Sequence, residues 1–250
     1  MENLERAAET TTFATTSWSL VARAGGGAGG TTPQRDSLGV LLKRYLPAMR
    51  AYLDGQRQVP PDRVPDLLQG FVADKIIEQN LIAQADRQRG KFRSFLLMSL
   101  KRYVIDEHRR REAAKRSPEG ALTTLESAAE VAINDEPSRN FDLAWARELV
   151  NETLQRMKRE CERSGRTDLW EVFDCRVVGP AFLGTAPLEY DHLVERFGLP
   201  TPLHASNLLT TAKRMFARTL RSVAAEYADD DQLVEEEIQD LLAIVSLGRA

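Results

Sequence analysis

The chain has 250 residues, of which 42% are hydrophobic and 28% charged, and its formal net charge is −3. This balance is typical of a globular protein and excludes a wholly disordered chain, while the charge excludes a polycation. Any surface that binds nucleic acid must therefore come from a local concentration of cations. The two cysteines lie apart, without neighbouring histidines, which predicts reduced thiols and no metal site. No apolar run reaches the roughly 18–20 residues that cross a bilayer, and the opening MENLERAAE is not typical of a signal peptide, so we expect a cytoplasmic protein.

The first 116 residues divide into an arm and a helical region. Residues 1–36 are rich in Thr, Gly and Ala and contain GGGAGG, which predicts a flexible arm whose more apolar patch TTSWSLVARA could dock. From residue 37 onward, apolar residues recur at steps of three and four, which predicts helices. The prolines of VPPDRVP separate the first helix from the second, and a third begins near Gly90.

After residue 116 the helical period is lost and then returns. Residues 117–140 combine turn residues, small residues and acids, which predicts a linker. Helical periodicity is predicted again over about 141–161, 167–178, 187–197 and 202–227. Residues 229–250 form an acidic tail with an apolar stripe. No stretch is typical of a strand, so the sequence predicts an all-α fold with two small helical domains, at residues 37–116 and 141–228, joined by the linker.

The strongest physical signal is the charge of residues 86–116. This segment holds eleven basic and four acidic residues, a local charge of +7, so the rest of the chain sums to −10. A solvated helix face would have a similar composition. Three aromatic residues, Phe92, Phe95 and Tyr103, lie among the cations at spacings that also suit a helical core. Cations beside aromatic rings suit single-stranded or melted nucleic acid, because phosphates bind the cations and unstacked bases stack on the rings. The spacing leaves both interpretations open.

Residues 189–228 are typical of a helix-turn-helix, although an ordinary helical hairpin would have a similar pattern. A short helix ends at Gly198, which suits the position after a helix. Thr201 can cap the longer helix that follows, and Pro202 fits its first turn. The outward residues of the longer helix are first polar and uncharged and then basic. Those predicted to contact bases or phosphates are His204, Ser206, Asn207, Thr210, Thr211, Lys213 and Arg214.

Taken together, these patterns resemble the extracytoplasmic-function sigma factors of the sigma-70 family. PDLLQGFVADKI (65–76) and RGKFRSFLLMSLKRYVIDEHRRREAAKR (89–116) resemble the second conserved region of that family. The matching motifs are acid–x–x–Gln–x–Phe at Asp66, Gln69 and Phe71, an aromatic entry at Phe92, Arg93 and Phe95, and an Asp–Glu–x–Arg–Arg close at 106–110. The C-terminal helices resemble the fourth region, and TTFATTSW resembles the planctomycete groups of the family. The resemblance covers about residues 38–225.

The resemblance implies a protein that binds core RNA polymerase, recognises a promoter and helps to open it, without chemistry, metal or cofactor of its own. It implies that the polymerase contacts Asp66, Gln69 and Phe71. The residues that it implies for promoter melting, with the neighbouring cations, are Lys91, Phe92, Arg93, Phe95, Lys101, Arg102, Tyr103, Arg109, Arg110 and Arg111. The helix at 202–221 would read the upstream promoter element, and the linker would pass towards the RNA exit channel.

Two departures from the family pattern leave alternatives open. The predicted recognition stretch LHASNLLTT lacks the early basic residues usual in the family, so one alternative is a sigma-like adaptor or regulator that binds polymerase or another protein without reading promoters. The acidic tail has eight acids and no base over residues 226–240, and it could be solvated, cover the basic surface or bind another protein, such as an anti-sigma or other regulator. An enzyme is not expected, because the three histidines are scattered and no phosphate loop or nucleophile motif occurs.

Overall fold

A computed structural model describes residues 17–26, 32–115 and 135–225, together with positions 234, 235, 238–241 and 244, which we call the C-terminal segment. Within these residues every regular element is helical and no strand occurs, which confirms the all-α prediction. Among the same residues, no helix has both the length and the apolar character needed to span a membrane.

The first helix lies inside the segment that was expected to be flexible. Helix α1 (Ser17–Gly25) packs against α2 (Thr32–Asp54) and a 3₁₀ turn at Leu81–Gln84. Val21 and Ala24 are buried in the core. Gly25 allows this close approach, because a Cβ there would lie 2.7 Å from the backbone nitrogen of Ala83. The flexible-arm prediction is therefore wrong for α1, whose sequence contains most of the apolar patch, whereas residues 1–16 and 27–31 lie outside the described residues.

The next two helices close the first core. A 3₁₀ turn at Pro61–Arg63 leads into α3 (Val64–Gly70), which continues as wider π-helical turns over Phe71–Glu78. The prolines suit this start, because a proline lacks the N–H group that a first helical turn leaves unpaired. Helix α4 (Phe92–Lys115) follows after Gly90, whose φ is +115°. The buried side chains that α3, the π-helical turns and α4 contribute are Val64, Leu67, Phe71, Ile76, Phe92, Leu96, Leu100 and Tyr103.

Helix α5 (Asp135–Arg163) begins within the predicted linker, so the linker prediction is wrong from residue 135 onward. Residues 116–134 lie outside the described residues. The first half of α5 packs against α2, and its buried residues in the first core are Phe141, Trp145, Ala146 and Leu149. Its second half contributes Met157 and Cys161 to a second core. One continuous helix therefore joins the two cores.

The remaining helices surround the second core. Helix α6 (Thr167–Phe173) continues as π-helical turns over Asp174–Leu183, and α7 (Tyr190–Phe197) and α8 (Pro202–Ala225) follow. The turn between α7 and α8 matches the sequence prediction. Gly198 has a φ of +63°, and the Thr201 hydroxyl oxygen accepts the backbone N–H of His204 at 3.1 Å. Near its end, α8 places Leu220 and Val223 in the first core, so α8 also spans both cores.

Candidate nucleic-acid and partner-binding surfaces

Helix α3 presents two of the three predicted polymerase-binding residues on its surface. Asp66 and Gln69 are exposed and lie three residues apart, so they share a face of the helix. The Asp66 carboxylate lies 3.8 Å from the Arg63 guanidinium. Phe71 has no exposed surface, and its ring packs edge-on against Tyr103 at 5.5 Å. In this structure Phe71 therefore offers no surface for the predicted polymerase contact, because its side chain fills the core beneath that face.

Tyr103 joins α4 to α3, the helix that carries Asp66 and Gln69. Its hydroxyl donates a hydrogen bond to Asp74 at 3.3 Å and lies where a Cβ on Gly70 would clash. Burial, with added effects from Glu107 and Asp74, raises the pKa of Tyr103 to about 12. The side chain is 5% exposed. Tyr103 is thus a packing residue that holds the two helices together, and bases cannot stack on it in this structure.

The other two aromatic residues of the basic segment differ in exposure. Phe92 is buried, with its ring 5.3 Å from Tyr45 and 6.3 Å from Trp18 in edge-on arrangements. In this structure the Phe92 ring is therefore covered and offers no open face for the predicted stacking. Phe95 is half-buried beside Phe92, with the ring centroids 6.2 Å apart, and part of its surface remains open to solvent. Of the three aromatic residues, Phe95 is the one that a base could contact.

The cations of the basic segment fall into three groups by exposure. Arg102, Arg109 and Arg110 are exposed, and Arg110 forms an ion pair with Glu107. The half-buried cations are Lys91, Lys101 and Arg111. Arg93 is buried. The exposed cations of α4 therefore lie from Arg102 onward, where the exposed acids Asp106 and Glu112 accompany them, and its inner face is apolar.

Lys91 and Arg93 converge on one carboxylate at the start of α4. The Lys91 amino group lies 2.6 Å from Asp240 Oδ2 of the C-terminal segment, and Arg93 donates a hydrogen bond to the same oxygen. The Arg93 guanidinium also lies over the Trp145 ring, 4.3 Å from its centroid. Burial alone would raise the pKa of Asp240, but the hydrogen bond from Lys91 and the charge of Arg93 hold it below its usual value. This pair is therefore a site for a single anionic oxygen.

A second carboxyl group, that of Asp142 on α5, lies close to the same cations. Burial, together with the charge of Asp240, raises the pKa of Asp142, and the charges of Arg93, Lys101 and Lys91 offset part of this effect. Two carboxyl groups therefore share the positive charge at this end of α4.

Helix α8 presents the predicted base-reading residues on its outer face. His204, Asn207, Thr210, Lys213 and Arg214 are exposed, and Ser206 is half-buried. Two hydroxyl groups bond to the helix itself: Thr210 donates to the Ser206 carbonyl at 3.1 Å, and Thr211 donates to the Asn207 carbonyl at 2.9 Å. Their oxygen atoms can still accept hydrogen bonds. In the first turns of α8 the exposed residues include the polar His204 and Asn207 and the apolar Leu203.

Sequence reasoning missed a basic groove between α5 and α8. The groove encloses about 900 Å³ and is lined by four arginines with two glutamates, a methionine and two hydroxyl groups: Arg156, Arg159, Glu160, Glu162, Arg163, Met215, Arg218, Thr219 and Ser222. Arg156 pairs with Glu152, and Arg163 pairs with Glu160. Among the described residues, neither Arg159 nor Arg218 has an ion-pair partner. The spacing of Arg156, Arg159 and Arg163 along one helix face was the signal that could have revealed it.

Among the described residues, we find no metal-binding cluster and no cysteine whose pKa is lowered. In the described ranges, no three His, Cys, Asp or Glu side chains lie close enough together to hold a metal ion. Burial raises the pKa of both thiols, Cys161 and Cys175. No protein-family model, curated protein or solved structure matches the chain. The surfaces described above offer cations, polar groups and one partly exposed ring for noncovalent binding.

Proposed function

We propose that this protein is a sigma factor of the extracytoplasmic-function type, which binds core RNA polymerase and directs promoter recognition and opening. The observation that carries the proposal is the pairing of α3 and α4. Asp66 and Gln69 form an exposed polar face on α3, and the adjacent α4 carries exposed arginines at 102, 109 and 110. Tyr103 fastens the two helices together, so a partner bound at α3 would be held beside nucleic acid bound at α4.

The melting step is assigned to the outer face of α4. Arg102, Arg109 and Arg110 neutralise backbone phosphates, and the partly exposed ring of Phe95 stacks with an unpaired base. Phe92 and Tyr103 act indirectly in this proposal, because their burial fixes the direction in which α4 presents its cations. The pair of helices α3 and α4 would thus combine polymerase binding with strand separation.

Duplex recognition is assigned to the outer face of α8 and the groove beside it. The exposed polar groups at the start of α8 contact base edges, and Lys213 and Arg214 contact phosphates. Arg159 and Arg218 in the basic groove supply two more cations close to the later turns of α8. Core RNA polymerase and promoter DNA are the partners that this function requires, and it places the protein in the cytoplasm.

A second candidate function is a sigma-like adaptor that binds polymerase or another protein without reading a promoter. The observation that favours it is the start of α8, where the exposed residues are uncharged and two hydroxyl hydrogens are bonded to the helix itself. Such an adaptor would bind the core enzyme and yet confer no preference for promoter sequences.

The polymerase-binding face is tested by the double variant Asp66→Ala/Gln69→Ala. Both side chains are exposed, so their loss leaves the core of the protein intact. We expect about tenfold weaker binding to core RNA polymerase in a fluorescence titration, because truncating two central interface residues costs on the order of 1–2 kcal/mol. The matched control is Gln155→Ala/Glu171→Ala, which replaces an exposed glutamine of α5 and an exposed glutamate of α6 outside the surfaces proposed for binding.

The control is expected to bind the core enzyme like the unmodified chain, and both variants are expected to keep the same helix content by circular dichroism. Equal affinities of the two double variants for the core enzyme would contradict the assignment of the α3 face.

A further inference from the structure

The contact between Asp240 and the start of α4 has the geometry of an occupied anion site. Lys91 and Arg93 belong to the segment proposed to grip DNA, yet both direct their charged groups at one oxygen of Asp240. The Arg93 side chain is only 10% exposed and rests on the Trp145 ring, so its guanidinium is held in place from below. Lys91 and Asp240 are more open, at 28% and 41% exposure. Because the site is open on the side of Asp240, another anion could enter where that carboxylate lies.

Apolar and polar contacts hold the C-terminal segment on both sides of Asp240. Leu241 is 2% exposed and belongs to the first core, and Ile244 packs against the same core. On the other side, Val234 is buried against Ala224 near the end of α8. The exposed Glu235 accepts a hydrogen bond from Arg221 at 2.8 Å. The segment is therefore attached both to α8 and to the first core, with Asp240 near the second attachment.

The chemistry of the site suits a phosphate as well as a carboxylate. Ammonium and guanidinium groups form charge-assisted hydrogen bonds with either kind of anionic oxygen. When Asp240 leaves the site, the carboxyl group of Asp142 still lies close to Lys91 and Arg93. The cations whose charges act on that carboxyl group, Arg93, Lys101 and Lys91, outnumber it.

We propose that Lys91 and Arg93 form a binding site for a nucleic-acid phosphate and that Asp240 occupies this site in the free protein. The C-terminal segment then competes with DNA for the start of α4 and inhibits binding until it is displaced. The inference rests on the proposed function, because that function makes DNA the ligand. Exposed charges separated by more than a Debye length of about 8–10 Å are largely screened in physiological salt, so inhibition requires direct contact, and the segment makes it at Asp240.

The test compares the full-length chain with Asp240→Asn, which keeps the shape of the side chain and leaves the apolar anchors in place. The probe is a fluorescein-labelled single-stranded DNA of mixed sequence, and its affinity is measured by anisotropy at low and at physiological salt. We expect the variant to bind about three- to tenfold more tightly at low salt, with a smaller gain at the higher salt.

Two further variants separate this mechanism from a general charge effect. Asp36→Asn changes the net charge by the same amount at an exposed position of α2, and we expect no change in its affinity for the probe. Adding Lys91→Gln to Asp240→Asn should remove the gain, because the phosphate site then lacks one cation. Wild-type affinity of Asp240→Asn at low salt, an equal gain in Asp36→Asn, or no binding of the probe by any variant would overturn the proposal.

Hydrogen exchange of the full-length chain gives a second, independent readout. Displacement predicts that adding the DNA probe speeds amide exchange in peptides covering residues 234–244, whereas slower exchange there would contradict competition. Failure of the proposed function would look different. If Asp240 inhibits DNA binding but the chain does not bind core polymerase, the sigma assignment alone is contradicted. If the chain supports transcription by polymerase but Asp240→Asn does not change DNA binding, the inference alone is contradicted.

Discussion

Gly70 and Tyr103 meet at the point where α3 crosses α4. The Tyr103 hydroxyl occupies the space that a side chain on residue 70 would need, and it donates a hydrogen bond to Asp74. Gly70 has a φ of −62°, which any residue can adopt, so glycine is required here by the lack of space and not by its backbone conformation. The Tyr103 ring packs against Phe71 and cannot move aside freely.

We therefore expect Gly70→Ala to lower the free energy of unfolding by about 1–3 kcal/mol, the usual cost of overpacking a core. Tyr103→Phe should cost on the order of 1 kcal/mol, because it removes one hydrogen bond. Urea unfolding of the two single variants and the double variant measures their coupling. The double variant should lose less stability than the sum of the single losses, since the clash disappears with the hydroxyl. Strict additivity would contradict the proposed clash.

Individual site residues were only partly predictable from the sequence. Exposure of Asp66 and Gln69 follows from their polarity and their shared helix face, and the structure agrees. Phe71 lies two residues from Gln69 in the same motif, yet it is fully buried. A motif relates residue types to a function without stating which of them contact the partner and which support the helix from inside. For Phe92 and Tyr103, spacing left both roles open, and their burial was decided by Tyr45, Trp18 and Phe71, contacts that only the fold reveals.

At the scale of elements, the sequence predicted those helices whose start and end depend on local chemistry. The turn at Gly198 and Thr201 is an example, because the φ of one residue and one capping hydroxyl define it. Helix α1 was missed because it is short and is followed by a glycine-rich stretch, and a helix of nine residues depends on tertiary packing for stability. The π-helical turns after α3 and α6 also had no sequence signal.

The basic face of α4 leads to a prediction about salt dependence. Arg109 and Arg110 are exposed and Arg111 is half-buried, and Arg110 would leave its pair with Glu107 to reach a phosphate. Replacing all three by Ala should lower the slope of log affinity against log salt by up to about 2.7, at about 0.9 for each duplex phosphate that is no longer neutralised. The measurement is promoter DNA binding by the polymerase complex over a range of salt concentrations, with open-complex formation followed in parallel.

The matched control replaces three arginines on or near α2, Arg35, Arg50 and Arg57, which are all exposed. It removes the same charge from another part of the surface, so its salt slope should stay close to that of the unmodified chain. Identical salt slopes for both triple variants would show that Arg109, Arg110 and Arg111 face solvent and do not contact DNA phosphates.

At the scale of the whole molecule, the charge asymmetry was visible in the sequence but its consequence was not. The acidic tail and the segment of charge +7 lie more than a hundred residues apart, and composition alone allowed a solvated tail, a contact with the basic surface or another partner. The structure shows one such contact, at Lys91 and Arg93, because apolar residues on each side of Asp240 pack against the rest of the chain. The basic groove between α5 and α8 also depends on the tertiary arrangement of two distant helices.

Run-off transcription with core RNA polymerase and genomic DNA fragments tests the assignment as a sigma factor most directly. We predict discrete transcripts that appear only when the chain is added, weaken with Asp66→Ala/Gln69→Ala and persist with Gln155→Ala/Glu171→Ala. Binding of the chain to the core enzyme without such transcripts would favour the adaptor. If a correctly folded protein neither binds the core enzyme nor yields chain-dependent transcripts, that result contradicts the account.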